Sequence, residues 1–167
     1  YVKALEQYRL AKKAFPKMKN PQQSPHLALA RLLQAEGKGE EAIREIQEFA
    51  SLDSSNFEHR LQLASWFEEK KDWASAARYL EQANAVDPFH RELHRRWAMA
   101  LRELGKHEES CREWAVARKI SPDREMPPGK VGPEDEKRVQ ADLWVEEGRS
   151  WKLAGKLETA KEAWEQA

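Results

Sequence analysis

The feature that most constrains this chain is a 34-residue repeat that runs through three consecutive units without a gap. When the units that begin at Gln23, Phe57 and Arg91 are stacked, residues of similar size fall into the same columns. The columns are large (Leu29, Leu63, Trp97), small (Ala30, Ala64, Ala98), large (Leu33, Phe67, Leu101), turn (Gly37, Lys71, Gly105), small (Ala42, Ala76, Ser110) and large (Ile46, Leu80, Trp114). Self-similarity at a fixed period indicates a repeat architecture.

Each unit carries the pattern of two amphipathic helices. Apolar residues recur at three- and four-residue steps before the turn column and again after it. The small columns let two helix backbones approach closely. Because a single helical hairpin cannot bury its apolar face alone, the hairpins are expected to stack on one another. Pro88 and Pro122 follow the second helix of their units, where a proline ends a helix without removing an internal hydrogen bond. The sequence therefore predicts an all-α solenoid of antiparallel helix pairs.

The columns and the closing segment Val86-Asp87-Pro88 resemble the tetratricopeptide repeat (TPR) family. The resemblance covers residues 23–122. This chain departs from the family in two columns, where Ala stands for the usual Gly and Ser110 for the usual Ala, but both changes keep the side chain small. The resemblance implies a right-handed superhelix, in which the first helix of each hairpin lines a concave surface that binds peptides.

A fourth unit follows an interruption. Gly155 matches the turn column but lies 50 residues after Gly105, which is one repeat and 16 further residues. Residues 126–133 are rich in Pro and Gly and predict a loop, and residues 134–153 predict one continuous helix, extended by about two turns. The predicted organisation is an incomplete leading repeat with a linker (1–22), repeats 1 to 3 (23–56, 57–90, 91–124), an insertion with a helix extension (125–140) and a truncated repeat 4 (141–167).

The two ends of the chain both resemble parts of a repeat. Ala4, Tyr8 and Ala11 have the spacing of a second helix, so residues 2–15 are predicted to be that helix, with Tyr8 in a packing position. In the fourth unit, Trp151 and Trp164 fall on large columns and Gly148 on a small one. Neither end has the polar cap face of a terminal repeat. We therefore expect the chain to be a fragment of a longer protein.

The composition narrows the class of protein. Lys plus Arg and Asp plus Glu both number 29, so the net charge is 29 − 29 = 0, which argues against a dedicated nucleic-acid binder. Seven Trp argue against a disordered chain. There is no apolar run of the roughly 20 residues that a membrane span needs, and one Cys excludes an internal disulfide framework. A cytoplasmic chain and a processed piece of an exported protein both fit, the first being preferred. The oligomeric state stays open.

No catalytic residue, metal ligand or cofactor site is predicted. His90 and His94 are four residues apart, but a zinc-protease helix needs a Glu next to one of them and Glu92 lies between. Since no third ligand is evident, we interpret the two as surface residues near a helix start. Cys111 adjoins a small column and is predicted to be a buried packing residue. Gly37-Lys38-Gly39 lacks the spacing of a phosphate loop and coincides with the turn column.

The predicted peptide surface consists of the first-helix positions that the packing columns leave free. These are Leu27, Arg31, Gln34, Leu61, Ser65, Glu68, Arg95, Met99, Arg102, Val145, Arg149 and Lys152. Cations are concentrated in repeats 3 and 4, and Arg binds carboxylates well, so an acidic or C-terminal peptide segment is a reasonable ligand. The alternative is a solvated wall, or one filled by another part of the same protein. The chaperone carboxylate clamp of the family is not predicted, because Arg31 and Ser65 replace its Asn residues and Leu27 its Lys.

Two functions fit these observations. The first is a non-catalytic protein–protein interaction module that binds a peptide or protein segment. The alternative is an accessory repeat domain of a multidomain enzyme, for example a peptidase, whose catalytic part lies outside this chain. An enzyme within these residues is not expected, because the sequence offers no convergent site.

Overall fold

A computed structural model describes residues 2–121 and 132–167, and these residues form α-helices and no strands. The helices are α1 (Val2–Ala14), α2 (Pro25–Ala35), α3 (Gly39–Leu52), α4 (Phe57–Glu69), α5 (Trp73–Asn84), α6 (Arg91–Glu103), α7 (His107–Lys119), α8 (Pro133–Leu153) and α9 (Leu157–Glu165). The predicted all-α fold is confirmed. Pro122 and most of the predicted Pro/Gly loop lie outside the described residues.

The turn column is explained by backbone conformation. Gly37, Gly105 and Gly155 have φ angles of 75°, 75° and 78°, and Lys71 in the same column has a φ of 57°. After each of them, the next amide donates to the carbonyl five positions earlier, over 2.8 to 3.0 Å. This is the Schellman ending of a helix, which favours Gly because its left-handed residue carries no Cβ strain. The repeat boundaries themselves stay a prediction.

The chain divides into two compact units, unit 1 (Tyr1–Leu63) and unit 2 (Ala64–Ala167). In unit 1, α2 packs against α1 on one side and α3 on the other. The small-column residues Ala30 and Ala42 and the large-column residue Ile46 are buried there. The prediction for α1 was wrong in one residue, because Leu5 is the buried side chain and Tyr8 is 41% exposed.

Unit 2 is organised around α7 and the long helix α8. Helix α7 packs against α6 and α8, and α9 packs on α8. Trp114 and Ala117 of α7 form a core cluster with Ala98 and Leu143. In the small column, the buried Ser110 hydroxyl donates to the Ala98 carbonyl at 2.8 Å. A serine therefore replaces the usual alanine without leaving an unsatisfied buried group.

Helix α8 has 21 residues whereas α6 has 13, so the predicted extension of about two turns is confirmed. The additional turns are fixed to the rest of unit 2. Val139 packs on the core cluster, and Glu136 accepts hydrogen bonds from both terminal nitrogens of the buried Arg91, at 2.8 and 2.9 Å. No helix of the described residues is long and apolar enough to cross a membrane.

Helices α8 and α9 meet through an unusually close contact. A Cβ atom added to Gly148 would lie 2.3 Å from Nε1 of Trp164, so only glycine fits at that point. The same indole nitrogen donates to the Val145 carbonyl at 3.2 Å. Trp164 packs against Gly148, as its place on a large column predicts, but it is still 38% exposed.

Candidate peptide-binding surfaces

Three of the predicted surface residues surround one pocket in unit 1. Leu27, Arg31 and Gln34, all on α2, line a pocket of about 130 Å³. The other lining residues are Ala30, Ile46, His59 and Gln62. Leu27 is only 6% exposed and belongs to the buried core, while Arg31 and Gln34 are exposed. His59 and Gln62, which the sequence prediction missed, lie in the following first helix, α4.

His59 is the ionisable imidazole in the lining of this pocket. Its ring lies edge-on to Phe49, with the centroids 4.8 Å apart. Burial lowers the pKa of His59 below its usual 6.5, and this outweighs the opposing effect of Glu58; nearby Arg31 lowers the pKa further. His59 is therefore neutral at pH 7. Among the described residues, no carboxylate forms an ion pair with Arg31.

A second surface lies in unit 2, where Glu68, Trp73, Arg96 and Met99 line a pocket of about 90 Å³. The Arg96 guanidinium donates to Glu68 at 3.0 Å and to the Ser65 hydroxyl at 2.9 Å. Met99 is 44% exposed. Glu68, Ser65 and Met99 were predicted, whereas Arg96 was assigned to no surface. Leu61, the remaining predicted position of α4, is half-buried and belongs to unit 1.

Three of the four predicted cations of α6 and α8, all of them arginines, have acidic partners within unit 2. Arg102 lies 2.5 Å from Glu146, and Arg149 pairs with the other oxygen of the same carboxylate. Arg95 pairs with Glu92 at 3.1 Å. The sequence analysis did not identify the acidic residues that pair with these three arginines, Glu92 and Glu146.

The last two predicted positions lie beside these pairs on α8. Lys152 is exposed and Val145 is half-buried. The Val145 carbonyl is already occupied by the Trp164 indole. Only the side chains of these two residues are therefore open to a ligand.

The interpretation of His90 and His94 as surface residues is wrong for His94. His94 is buried, with Nδ1 lying 2.6 Å from the Glu113 carboxylate and Nε2 donating to the Pro88 carbonyl at 3.0 Å. His90 caps α6, its Nδ1 accepting from the Leu93 amide at 3.2 Å. The two imidazoles have separate partners and share no ligand position.

A column of buried polar residues explains His94. His26, Arg60 and His94 follow one another at intervals of 34 residues, and all three are buried. Each donates to a carbonyl of the segment before its helix: His26 to Pro16 at 3.2 Å, and Arg60 to Ser54 at 2.8 Å. The 34-residue spacing of these three polar residues is visible in the stacked sequence, although the sequence analysis did not use it.

His26 belongs to a group of side chains that could bind a metal ion, but a lysine ammonium contacts the carboxylates of this group. Potential ligand atoms of His26, Glu45 and Glu48 all lie within 4.8 Å of one another. However, the ammonium of Lys12 lies 2.9 Å from Glu45 and 2.7 Å from Glu48. Burial lowers the pKa of Lys12, but its hydrogen bonds to Glu48 and Glu45 outweigh this and raise the pKa above 10.5. Lys12 thus supplies the cation that these carboxylates need.

Cys111 is fully buried, as predicted. Burial raises the pKa of its thiol to about 12, with the nearby Glu147 acting in the same direction. Since the thiolate is the nucleophilic form, this cysteine is inert at neutral pH.

No family model matches the chain, and no curated protein matches it. Solved structures of MamA do. One covers 97% of this chain and 83% of its own, with a TM-score of 0.65 and 16% identity. The MamA AMB-1 structure covers 98% of this chain and 85% of its own, with a TM-score of 0.66 and 12% identity. The MamA MSR-1 structure covers 98% of this chain and 90% of its own, with a TM-score of 0.62 and 13% identity. The chain has a TPR-like helical repeat fold. At such identities the likeness shows the fold alone, and the surfaces of this TPR-like chain must be judged by their own residues.

Proposed function

We propose that this TPR-like chain is a non-catalytic interaction module that holds a segment of a partner protein against its first-helix faces. In unit 1 that face is the pocket between α2 and α4, and in unit 2 it is the surface of α6 and α8. The observation that carries the proposal is the division of labour between positions. The small and large columns are mostly buried, whereas the predicted surface positions other than Leu27 are exposed or half-buried. Five of the twelve positions line the two pockets.

The composition of these faces supports a protein ligand. Met99 offers exposed apolar area beside the Arg96 guanidinium, and Arg31 and Gln34 offer hydrogen-bond donors beside the apolar Leu27. Apolar contacts with a few well-placed polar groups are what an extended peptide requires, because its side chains need pockets and its backbone needs partners.

The residues with catalytic potential support a non-catalytic role. The thiol of Cys111 is buried and protonated. His94 has both ring nitrogens occupied, so it has no free nitrogen to act as a general base.

Site-specific photo-crosslinking tests the proposal. A photoreactive residue is placed at Gln34 or Met99, on the proposed faces, and at Gln82, an exposed position of α5, as the control. In a lysate of the source organism, Gln34 and Met99 are expected to capture one and the same protein, and Gln82 none. Equal capture from Gln82, or no capture from either face, contradicts the proposal. If the crosslinks join these repeats to an enzyme domain of the same protein, that result supports the accessory-domain alternative.

A further inference from the structure

The pocket of unit 1 is lined by an arginine that has no acidic partner among the described residues. In unit 2, Arg96, Arg102 and Arg149 each contact a carboxylate of their own unit. Arg31 is a predicted peptide-surface residue of α2, yet it pairs with no carboxylate of the described residues. It also lines the walls of a pocket rather than projecting from a flat surface. The pocket lining therefore includes one cation that forms no ion pair with the described residues.

We infer that the pocket between α2 and α4 binds a single side-chain carboxylate of the partner segment, with Arg31 as its ion-pair partner. This inference rests on the proposed function, and it assigns to one residue the recognition that was expected of the cations on α6 and α8.

The pocket has the size and lining that such a group requires. Its volume of about 130 Å³ accommodates an Asp or Glu side chain. Leu27 and Ile46 provide an apolar lining for the methylene groups. The Arg31 guanidinium can donate two parallel hydrogen bonds to the carboxylate. The amides of Gln34 and Gln62 supply further N–H donors.

The charge of the pocket selects a carboxylate over a phosphate. A phosphoryl group carries nearly two negative charges, but the pocket offers one permanent cation, two neutral amides and a neutral imidazole. One carboxylate matches the single charge of Arg31, whereas a second negative charge would find no further permanent cation in the pocket lining. His59 responds to the ligand, because a bound anion favours its protonated form.

Three labelled peptides provide the probe. Each is a fluorescent ten-residue peptide of Leu, Ala and Ser, and they differ only in carrying Glu, Gln or Lys at two positions. By fluorescence anisotropy at pH 7 and low salt, the Glu peptide is expected to bind about tenfold more tightly than the Gln peptide, a typical difference for a charge-assisted bidentate pair. The Lys peptide is expected to bind most weakly.

Two matched variants locate the effect. Arg31→Gln is expected to abolish the preference for Glu. Arg44→Gln, which removes the same charge from an exposed position of α3 outside the pocket lining, is expected to retain it. Because Arg31 and Arg44 are both exposed, neither change removes a core contact, and unchanged circular dichroism verifies the fold.

The remaining outcomes separate this inference from the proposed function. Equal binding of the Glu and Gln peptides overturns the carboxylate pocket but leaves an interaction module. Equal weakening by Arg31→Gln and Arg44→Gln also overturns it, since the attraction is then general charge. If no peptide binds, the pocket is not a carboxylate site, and crosslinking from Met99 still decides the proposed function independently.

Discussion

The first-helix faces of unit 1 and unit 2 carry the same kind of residue in different electrostatic settings. On α6 and α8, Arg102 and Arg149 share the carboxylate of Glu146. On α2, Arg31 lines a pocket without an acidic partner among the described residues. The face with more arginines is therefore the less available one. The comparison teaches that the cations open to a ligand are those that remain after the fold has paired its own charges.

The largest expected effect concerns the buried histidines. Here the additional charged partner belongs to unit 1 rather than to unit 2. Glu113 of unit 2 pairs with His94, whereas Glu45 of unit 1 pairs with His26 and also with Lys12. His94→Ala is expected to reduce the free energy of unfolding by about 2–3 kcal/mol, since it leaves a largely buried carboxylate without its partner. His26→Ala is expected to cost about 1 kcal/mol less, because Lys12 remains. Urea unfolding of both variants measures the difference.

Adding Lys12→Met to His26→Ala sharpens this result. The double variant is expected to lose about as much stability as His94→Ala does, since Glu45 then has neither of its two partners. If His26→Ala alone already costs as much as His94→Ala, the lysine does not compensate and the contrast between the two units fails.

The second prediction converts the unit 2 face into one like unit 1. Glu146→Gln removes the carboxylate shared by Arg102 and Arg149, at a cost of about 1 kcal/mol in stability. In the Arg31→Gln background, this change is expected to restore a preference for the Glu peptide, which should bind about fivefold more tightly than the Gln peptide. The control is Glu158→Gln, which makes the same charge change on an exposed residue of α9 paired with Lys161. Restoration by both variants would show a general charge effect.

The third prediction uses the turn column, which holds Gly37 in unit 1 and, in unit 2, Lys71 besides the glycines Gly105 and Gly155. Gly37 and Lys71 have positive φ angles, 75° and 57°. Lys71→Gly is expected to raise the free energy of unfolding by about 0.5 kcal/mol, since it relieves the Cβ strain but adds entropy to the unfolded chain. Gly37→Lys is expected to lower it by about 1 kcal/mol. Thermal unfolding of both variants checks the signs, and a loss from Lys71→Gly would contradict the assignment.

The smallest expected effect is on the pH dependence of peptide binding. The pKa of His59 is lowered below 6.5 mainly by burial, with Arg31 adding to this. The free pocket therefore holds a neutral imidazole at pH 7, and a bound carboxylate favours its protonation. Affinity for the Glu peptide is expected to rise about twofold as the pH falls from 7 to 6. His59→Gln is expected to flatten the profile, and a profile unchanged by that variant would exclude His59 from the pocket's response.

The same histidine affects stability with a definite sign. Because its pKa is lower in the folded chain than in the unfolded one, the unfolded chain binds more protons between the two values. The contribution of neutral His59 is therefore fully present above pH 6.5 and decreases as the pH falls below it.

The sequence predicted what depends on local periodicity. Column size placed Ala30 and Ala98 in the core, and the turn column located Gly105 at a helix ending. These features are local because helix spacing and Schellman turns involve residues within one or two turns of each other. The length of α8 was predicted for the same reason.

The sequence did not predict which charges pair. Arg102 and Glu146 are 44 residues apart and meet only because α6 and α8 belong to the same unit. Arg96 contacts Glu68 in the same way across 28 residues. A pattern of cations on one helix carries no information about the carboxylates opposite. His94 is different, since its column was visible in the stacked sequence, and treating it as one of a local pair hid the relation.

The contact between Gly148 and Trp164 has a consequence for how this chain can vary. Nothing larger than hydrogen fits at position 148 while the indole is in place. A mutation there is harmful on its own, yet it becomes acceptable once residue 164 has become smaller. Among descendants of this sequence, the two positions should therefore change in a fixed order, first 164 and then 148.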